Sequence, residues 1–272
     1  MTLKKYARIA TLAVISLLAM FPYLWMFITS IKPPDQAYQP GVVWFTPTLS
    51  AYQEVLVEAS FPLYVFNSLF VALATTLISL FVGVFAAYAF VRYLRGPVGQ
   101  SLLFGYLSAI VLPPITLVIP MFFVFFYLNL INTRAVIVLS HLTFSIPIAT
   151  WFLVQFLEEV PVELEEAAML DGDTRIEAVI HVIVPSIKEG LIAVGSLVFI
   201  YSWNNFLYPL ILAGGRTSRT LPVALTEFDT FQGLLISDMA AAVMITITPV
   251  ILLAVYVQKY LVTGLAINSG VD

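Results

Sequence analysis

Cysteine is absent from the 272 residues, which excludes disulfides, thiolate metal sites and cysteine nucleophiles. Charge is scarce: Asp, Glu, Lys and Arg together make up 10% of the chain, against roughly 25% in an average soluble domain. Histidine occurs only at His141 and His181, without Glu-x-x-His, Gly-x-Ser-x-Gly or a histidine cluster, so there is no catalytic set and no metal site to assign. None of the five lysines follows a glycine. The Gly-Lys-Ser/Thr phosphate loop is therefore missing, and the chain cannot bind ATP in the usual way. The long apolar stretches lack Asp, Glu, Lys and Arg in their central runs. A proton- or sodium-driven carrier needs intramembrane carboxylates or comparable ion sites, so ion-coupled transport is disfavoured. The net charge of −4 is partitioned by loop rather than spread, and gives no support to a nucleic-acid partner.

What the chain has in excess is apolar side chain, 61% of its residues, with a mean hydropathy of +0.99. No soluble fold of this length hides that much. Six apolar stretches, at about 9–30, 64–91, 102–127, 135–157, 190–213 and 239–258, are long enough to cross about 30 Å of hydrocarbon. The expected fold is an all-α integral membrane domain of six transmembrane helices occupying residues 1–272. Pro22, Pro113, Pro114, Pro120, Pro147, Pro209 and Pro249 fall within the stretches and read as packing kinks, whose freed carbonyls neighbouring helices re-satisfy. The first stretch follows Lys4, Lys5 and Arg8 but is too long for a signal peptide and lacks a small-x-small cleavage site, so it reads as a retained helix. With the N-terminus inside, cytoplasmic segments carry Lys4, Lys5, Arg8, Arg92, Arg95, Arg175, Lys188 and Lys259, while outer loops carry Lys32, Arg134, Arg216 and Arg219. That bias puts both termini in the cytoplasm.

Two outer loops are long. Residues 32–63 are rich in proline and aromatics, with Glu54 to Ser60 able to form a short interfacial helix, and read equally as connector or contact surface. Residues 214–238 open on Gly214-Gly215-Arg216, and their length inside a compact bundle favours contact with a partner.

Polarity concentrates in residues 158–189, which hold nine of the sixteen acids. Pro161 suits a first helical turn, and Glu163, Glu165 and Glu166 set negative charge near its positive end. Ala167 and Ala168 present little bulk, Asp171-Gly172 breaks the helix, and Thr174 to Glu177 is a capping box that starts a second one. Ile176, Val179, Ile180, Ile183 and Ile187 keep helical spacing on one face, and Pro185 bends the chain toward the fifth stretch. On these grounds alone the segment is either an amphipathic interfacial hairpin or a helix–turn–helix elbow offered to a partner.

The run Glu166-Ala167-Ala168, two residues, Asp171-Gly172 and then Pro185 resembles the coupling loop of the membrane subunits of ATP-driven importers. Further segments follow in that family's order: Phe21-Pro22-Tyr23-Leu24-Trp25 with Ser30-Ile31-Lys32-Pro33, Asn67-Ser68, Trp203-Asn204-Asn205-Phe206-Leu207-Tyr208-Pro209-Leu210, and Lys259-Tyr260 with Gly264-Leu265. The chain is similar over nearly its whole length to binding-protein-dependent ABC importer permeases of the carbohydrate branch, the maltose-type second permease above all. It departs from their pattern at Asn205, where glutamate is usual, at Asp173, Val179 and His181, and in lacking a lysine near its end.

The resemblance implies a non-enzymatic subunit that forms half of a sugar pathway in a bacterial or archaeal plasma (inner) membrane. It implies a second homologous permease, two ATP-binding subunits that hold ATP and Mg, an extracellular solute-binding protein, and membrane lipid around the spans. Glu166, Ala167, Ala168, Asp171, Gly172 and Pro185 would couple to the ATPase, and Gly214, Gly215 and Arg216 would face the receptor. Asn67, Trp203, Asn204 and Asn205 are candidates for the substrate pathway, since aromatic faces beside amides suit sugars, although residues of these types more often serve helix packing or the interfacial belt. A glycerol-phosphate diester is the alternative cargo.

Overall fold

A computed structural model describes residues 2–94, 96–230 and 233–268, without the side chains of residues 2–4, 58, 109, 233–234 and 259–268. Arg95 and the side chains of Lys4, Lys259, Tyr260 and Leu265, used above for orientation and resemblance, lie outside what is described, as does any side-chain context of Gly264. The described residues are helical apart from many loops and one two-residue antiparallel pair, β1 (Asp229–Thr230) and β2 (Gly233–Leu234).

The chain divides into two compact units. The first, Met1–Leu63 with Ala224–Pro249, holds helix α1 (Thr2–Ser30). The most apolar window of α1 is wholly exposed, so this helix has its apolar surface to give to lipid or to another chain. The loop after it is packed rather than solvated. Lys32 is buried, with its ammonium 5.8 Å from the Trp25 ring and 5.5 Å from the Phe45 ring, and its carbonyl accepts from Ser237 Oγ. The helical turn expected near Glu54 to Ser60 spans Ser50–Glu58, where Ala51 and Val55 are buried.

The second unit, Tyr64–Val223 with Val250–Asp272, carries most of the helices. They are α2 (Phe61–Arg92, whose first turn belongs to the first unit), α3 (Gly96–Val111), α4 (Pro114–Tyr127), α5 (Arg134–Glu158) and α6 (Val162–Leu170). After them come α7 (Arg175–Ser186), α8 (Lys188–Trp203), α9 (Leu207–Leu212) and α10 (Ile236–Asn268, shared with the first unit). Helix α5 is central: Thr133 Oγ1 caps its start by accepting from Val136 N, and Ile137, Ala149, Leu153 and Leu157 are fully buried along it. One core joins Val84, Ala87 and Val91 of α2, Leu153 and Leu157 of α5, Val179 and Ile183 of α7, and Val194 and Val198 of α8.

Among the described residues four helices are long and apolar enough to cross a membrane: Lys5–Ser30, Phe61–Arg92, Arg134–Glu158 and Ile236–Gln258. The other two expected stretches are interrupted. The third, 102–127, divides between α3 and α4, because Pro113 and Pro114 carry no amide hydrogen and Pro113 is extended at ψ 129°. The fifth, 190–213, breaks at residues 204–206 between α8 and α9. At Pro113-Pro114 the chain breaks rather than kinks, whereas the break at 204–206 holds no proline and Pro209 lies inside α9.

Candidate functional site

The acidic segment is built from two helices and a tight turn. Helix α6 ends in a Schellman arrangement: Asp173 N donates to Ala168 O (3.1 Å) and Gly172 N to Met169 O (3.3 Å). Gly172 sits at φ +110°, open only to glycine without strain. Thr174 then caps α7 in both directions, accepting from Glu177 N (3.4 Å) while Glu177 Oε2 accepts from Thr174 N (2.7 Å). The Thr174 side chain, and then its backbone, hold the Glu177 carboxyl below its ordinary pKa.

Beneath the turn the segment is pinned to the end of α2. Glu165, 3% exposed amid exposed neighbours, accepts from Tyr88 Oη (2.9 Å) and pairs with Arg92 Nε. Arg92 Nη2 also donates to Val160 O (2.9 Å). On the α7 side, the Arg175 guanidinium lies 5.4 Å from the Tyr93 ring and is raised above its ordinary pKa, first by the Tyr88 side chain. A polar link thus joins Tyr88, Glu165 and Arg92, with Arg175 beside Tyr93. Nothing in the spacing of the sequence signals it, since Glu165 and Arg92 are 73 positions apart.

The apolar face of α7 differs from expectation. Val179, Ile183 and Ile187 are buried, but Ile176 and Ile180 are 63% and 51% exposed. A π turn at Val179–Ile183 widens the helix there and separates the two stripes that regular spacing merges. The bend is likewise displaced. The chain turns through 82° at Ile187 (φ −103°, ψ 22°), while Pro185 lies in the first positions of a helical turn, where its missing amide hydrogen is not needed. Glu166, Ala167, Asp171, Gly172 and Pro185 are all exposed, and Ala168 is half-buried. With Leu164, Leu170, Ile176 and Ile180 they form an uncovered surface of mixed small, acidic and aliphatic character.

Gly214, Gly215 and Arg216 begin a closed turn. Gly214 O accepts from Arg219 Nε and Nη2 (3.2 and 2.7 Å), and Gly215 O from Ser218 N and Arg219 N (3.1 and 3.0 Å). Gly215 N donates to Asn132 Oδ1 (3.0 Å), and a Cβ at position 215 would press on that Asn132 side chain. Asn67 completes the lock. It is fully buried, donates to Thr217 O (3.0 Å) and Arg219 O (2.8 Å), and accepts from Arg134 Nε (2.7 Å). Ser68 Oγ accepts from Leu221 N (2.8 Å). Asn67 is thereby bonded into the fold through three hydrogen bonds, while Arg216 is exposed.

Trp203 is 1% exposed and stacks on Phe199 at 5.6 Å. Asn204 and Asn205 instead occupy the break between α8 and α9, where Asn205 Oδ1 accepts from Tyr208 N (3.3 Å). They line an open cavity of about 430 Å³ with Tyr201, Phe206, Leu207 and Tyr208. Among the described residues no group of His, Asp and Glu is placed to hold a metal.

Comparison with known proteins gives these arrangements a setting. The family described as "Binding-protein-dependent transport system inner membrane component" matches residues 79–266. The sulfoquinovosyl glycerol transport system permease protein SmoH of Agrobacterium fabrum is 33% identical, over 96% of this chain and 92% of its own length. The trehalose transport system permease protein SugB of Mycobacterium tuberculosis is 36% identical over 91% and 90%. Among solved structures, a chain of a bacterial alginate ABC transporter, in complex with an alginate pentasaccharide-bound periplasmic protein, superposes with a TM-score of 0.67 at 10% identity, covering 93% of each chain. That likeness extends over the fold.

Proposed function

The chain belongs to the family of binding-protein-dependent transport system inner membrane components, and on that premise we propose that it forms half of the pathway by which an ATP-driven importer carries a sugar or oligosaccharide. In this reading the polypeptide crosses the plasma membrane six times. The third crossing is α3 with α4, the fifth is α8 with α9, and both termini and the acidic elbow face the cytoplasm. A second, homologous permease completes the pathway. Two ATP-binding subunits hold ATP and Mg, and an extracellular binding protein delivers the solute, so hydrolysis occurs outside this chain. Permeases of trehalose and sulfoquinovosyl glycerol among its relatives support a sugar as cargo.

One observation carries the reading: the elbow keeps Glu166, Ala167 and Gly172 uncovered, with Ala168 half-buried beside them, while Glu165 and three aliphatic side chains fix its base to the spans. A surface that is bare outside and bonded inside transmits force from whatever grips it. Gly172→Val places a β-branched residue at φ +110° and distorts the turn. In the reconstituted complex this variant is expected to hydrolyse ATP without proportionate uptake, while the native complex hydrolyses on demand from the loaded receptor. Failure of the chain to co-purify with an ATPase, or normal receptor-dependent transport by Gly172→Val, contradicts the assignment.

A further inference from the structure

Charge is rare in this chain, yet Arg134 stands at the first residue of a helix long enough to cross a membrane. Its Nε donates to Asn67 Oδ1 (2.7 Å), and its guanidinium lies 5.1 Å from the Phe66 ring and 5.9 Å from the Phe70 ring. These contacts hold the group in place without neutralising it. Among the described residues no carboxylate pairs with it. Its hydrogen bond engages Nε alone, so Nη1 and Nη2 are left for another acceptor. Asn132 is exposed at the same spot; its Oδ1 is taken by Gly215 N, and its amide hydrogens are left to donate. The first turn of α5 adds the positive end of a helix dipole.

Inward from Arg134 the surfaces of α2 and α5 do not close. Ala74 and Ala135 are too short to fill the space between the helices, and an open cavity of about 570 Å³ lies there, bordered by Phe70, Ile78, Val138 and Leu139. Phe70, Ile78 and Leu139 are 45%, 40% and 44% exposed, so the border faces whatever surrounds the helices. The two helices run in the same direction, since Asn67 bonds Arg134 and Ser79 bonds Ser145, which puts the guanidinium at one end of the groove. From Phe70 to Ile78 the groove follows α2 for about 12 Å, most of one leaflet of a hydrocarbon core about 30 Å thick. A planar cation with unused donors at the head of an apolar trough matches a phosphate carrying an acyl chain. No carboxylate lines the cavity, so nothing there holds the ammonium of a zwitterionic headgroup. A neighbouring protein would have to bring an acid to the membrane edge to meet Arg134, whereas every anionic lipid carries its phosphate there.

We infer that this groove binds one anionic phospholipid, with its phosphate on Arg134 and Asn132 and an acyl chain along Ala74 and Ala135. With both termini inside, the site opens to the outer leaflet. It is independent of the cargo and asks only that the chain span a membrane. The test uses the purified complex in detergent, mixed with phosphatidylglycerol, phosphatidylethanolamine or inorganic phosphate and read by native mass spectrometry. The native complex is expected to retain one phosphatidylglycerol per copy of this chain, about fivefold more tightly than phosphatidylethanolamine, the effect of one basic residue on an anionic lipid. Inorganic phosphate should not displace it. Arg134→Gln should erase the preference between the two lipids. Ala135→Phe fills the groove from an exposed position and leaves the bond between Arg134 and Asn67 in place. It should carry one lipid fewer at an unchanged melting temperature, and it decides the matter alone should Arg134→Gln not assemble. Equal lipid retention by native and Ala135→Phe complexes overturns the site, and displacement by inorganic phosphate reduces it to a free-anion contact. Because the chain has no cysteine, Leu139→Cys carries a photoactivatable label at a single place in it. Crosslinking to lipid supports the site; crosslinking to a polypeptide puts a protein partner in the groove and overturns it.

Discussion

Two turns of similar length, the elbow at Asp171-Gly172 and the turn at Gly214-Gly215, are held in opposite ways. At Gly214 the bonds are at the tip: carbonyls of Gly214, Gly215, Thr217 and Arg219 are all taken, three of the bonding residues being Asn67, Ser218 and Arg219. At the elbow the tip makes its own capping bonds and an exposed contact between Asp173 Oδ2 and His181 Nδ1 (3.0 Å), and the attachments to the other helices lie in the buried Glu165 and in Val179, Ile183 and Ile187. A turn locked at its tip keeps its shape whatever approaches. A turn locked at its base leaves its tip free to be grasped and passes displacement to the helices it is bonded to. The contrast separates a rigid support from a lever, and each half of it can be broken.

The largest effect is expected at the base of the elbow. Glu165→Ala leaves Arg92 buried without its counter-charge and Tyr88 without its acceptor; losing one partner of a buried pair costs about 3–5 kcal/mol. The melting temperature of the purified complex should fall, and amide exchange over residues 162–187 should rise ahead of the rest. Glu165→Gln, which keeps an acceptor for Tyr88, should do less. If Glu165→Ala melts with the native protein, the elbow is not held at its base.

The corresponding lesion at the other turn is Asn67→Ala. It strips hydrogen bonds from two backbone carbonyls and from Arg134, and leaving buried polar groups unmet costs about 1–3 kcal/mol. Exchange should rise at residues 215–221 and remain native at the elbow. A rise at both sites would show that the two turns do not behave as separate supports.

A smaller stability change, and a sharper functional one, is expected at the exposed stripe of α7. Ile176→Ser and Ile180→Ser touch no core, so stability should stay within about 0.5 kcal/mol. Retention of the ATPase subunits on a size-exclusion column should weaken all the same, if these side chains face a partner. Native retention would leave the stripe without a docking role.

How much of this was legible in the sequence follows the range of each interaction. The Schellman turn at Gly172 and the box at Thr174 and Glu177 are local, and the residues of each stand within five positions of one another. The apolar stretches were equally plain, because composition carries them. The break at Pro113-Pro114 was under-read because one proline kinks a packed helix, whereas two in succession leave two amides missing and extend the backbone. Regular helical spacing puts Ile176 and Ile180 on one face with Val179, Ile183 and Ile187, because it does not anticipate a π turn. Glu165 looked like any of nine acids, since what distinguishes it is contact with residues of α2 far away in the chain. Asn67 was chosen as a polar group in an apolar stretch, a criterion that a helix clasp and a solute contact satisfy equally.

The smallest expected effect concerns pH, and it distinguishes the turns by composition alone. Glu177 is ionised in the capping box, where hydrogen bonds from Thr174 depress its pKa below the ordinary glutamate value of about 4.3. For a group whose folded pKa is depressed, the contribution is fully present above the unfolded value and is lost as pH falls through the folded one. The start of α7 should therefore keep its protection at pH 5 and above and lose it progressively below about pH 4. Residues 214–221 contain no carboxylate, so the Gly214 turn has nothing to titrate in that window. Amide exchange at residues 175–178, compared with 215–219 between pH 5 and pH 3 after correction for intrinsic rates, should diverge. Glu177→Gln keeps an acceptor for Thr174 N and removes the titration, so its exchange should be flat across the same range. Parallel profiles at the two turns in the native protein, or a native-like profile in Glu177→Gln, would mean that the carboxylate does not hold the elbow's second helix.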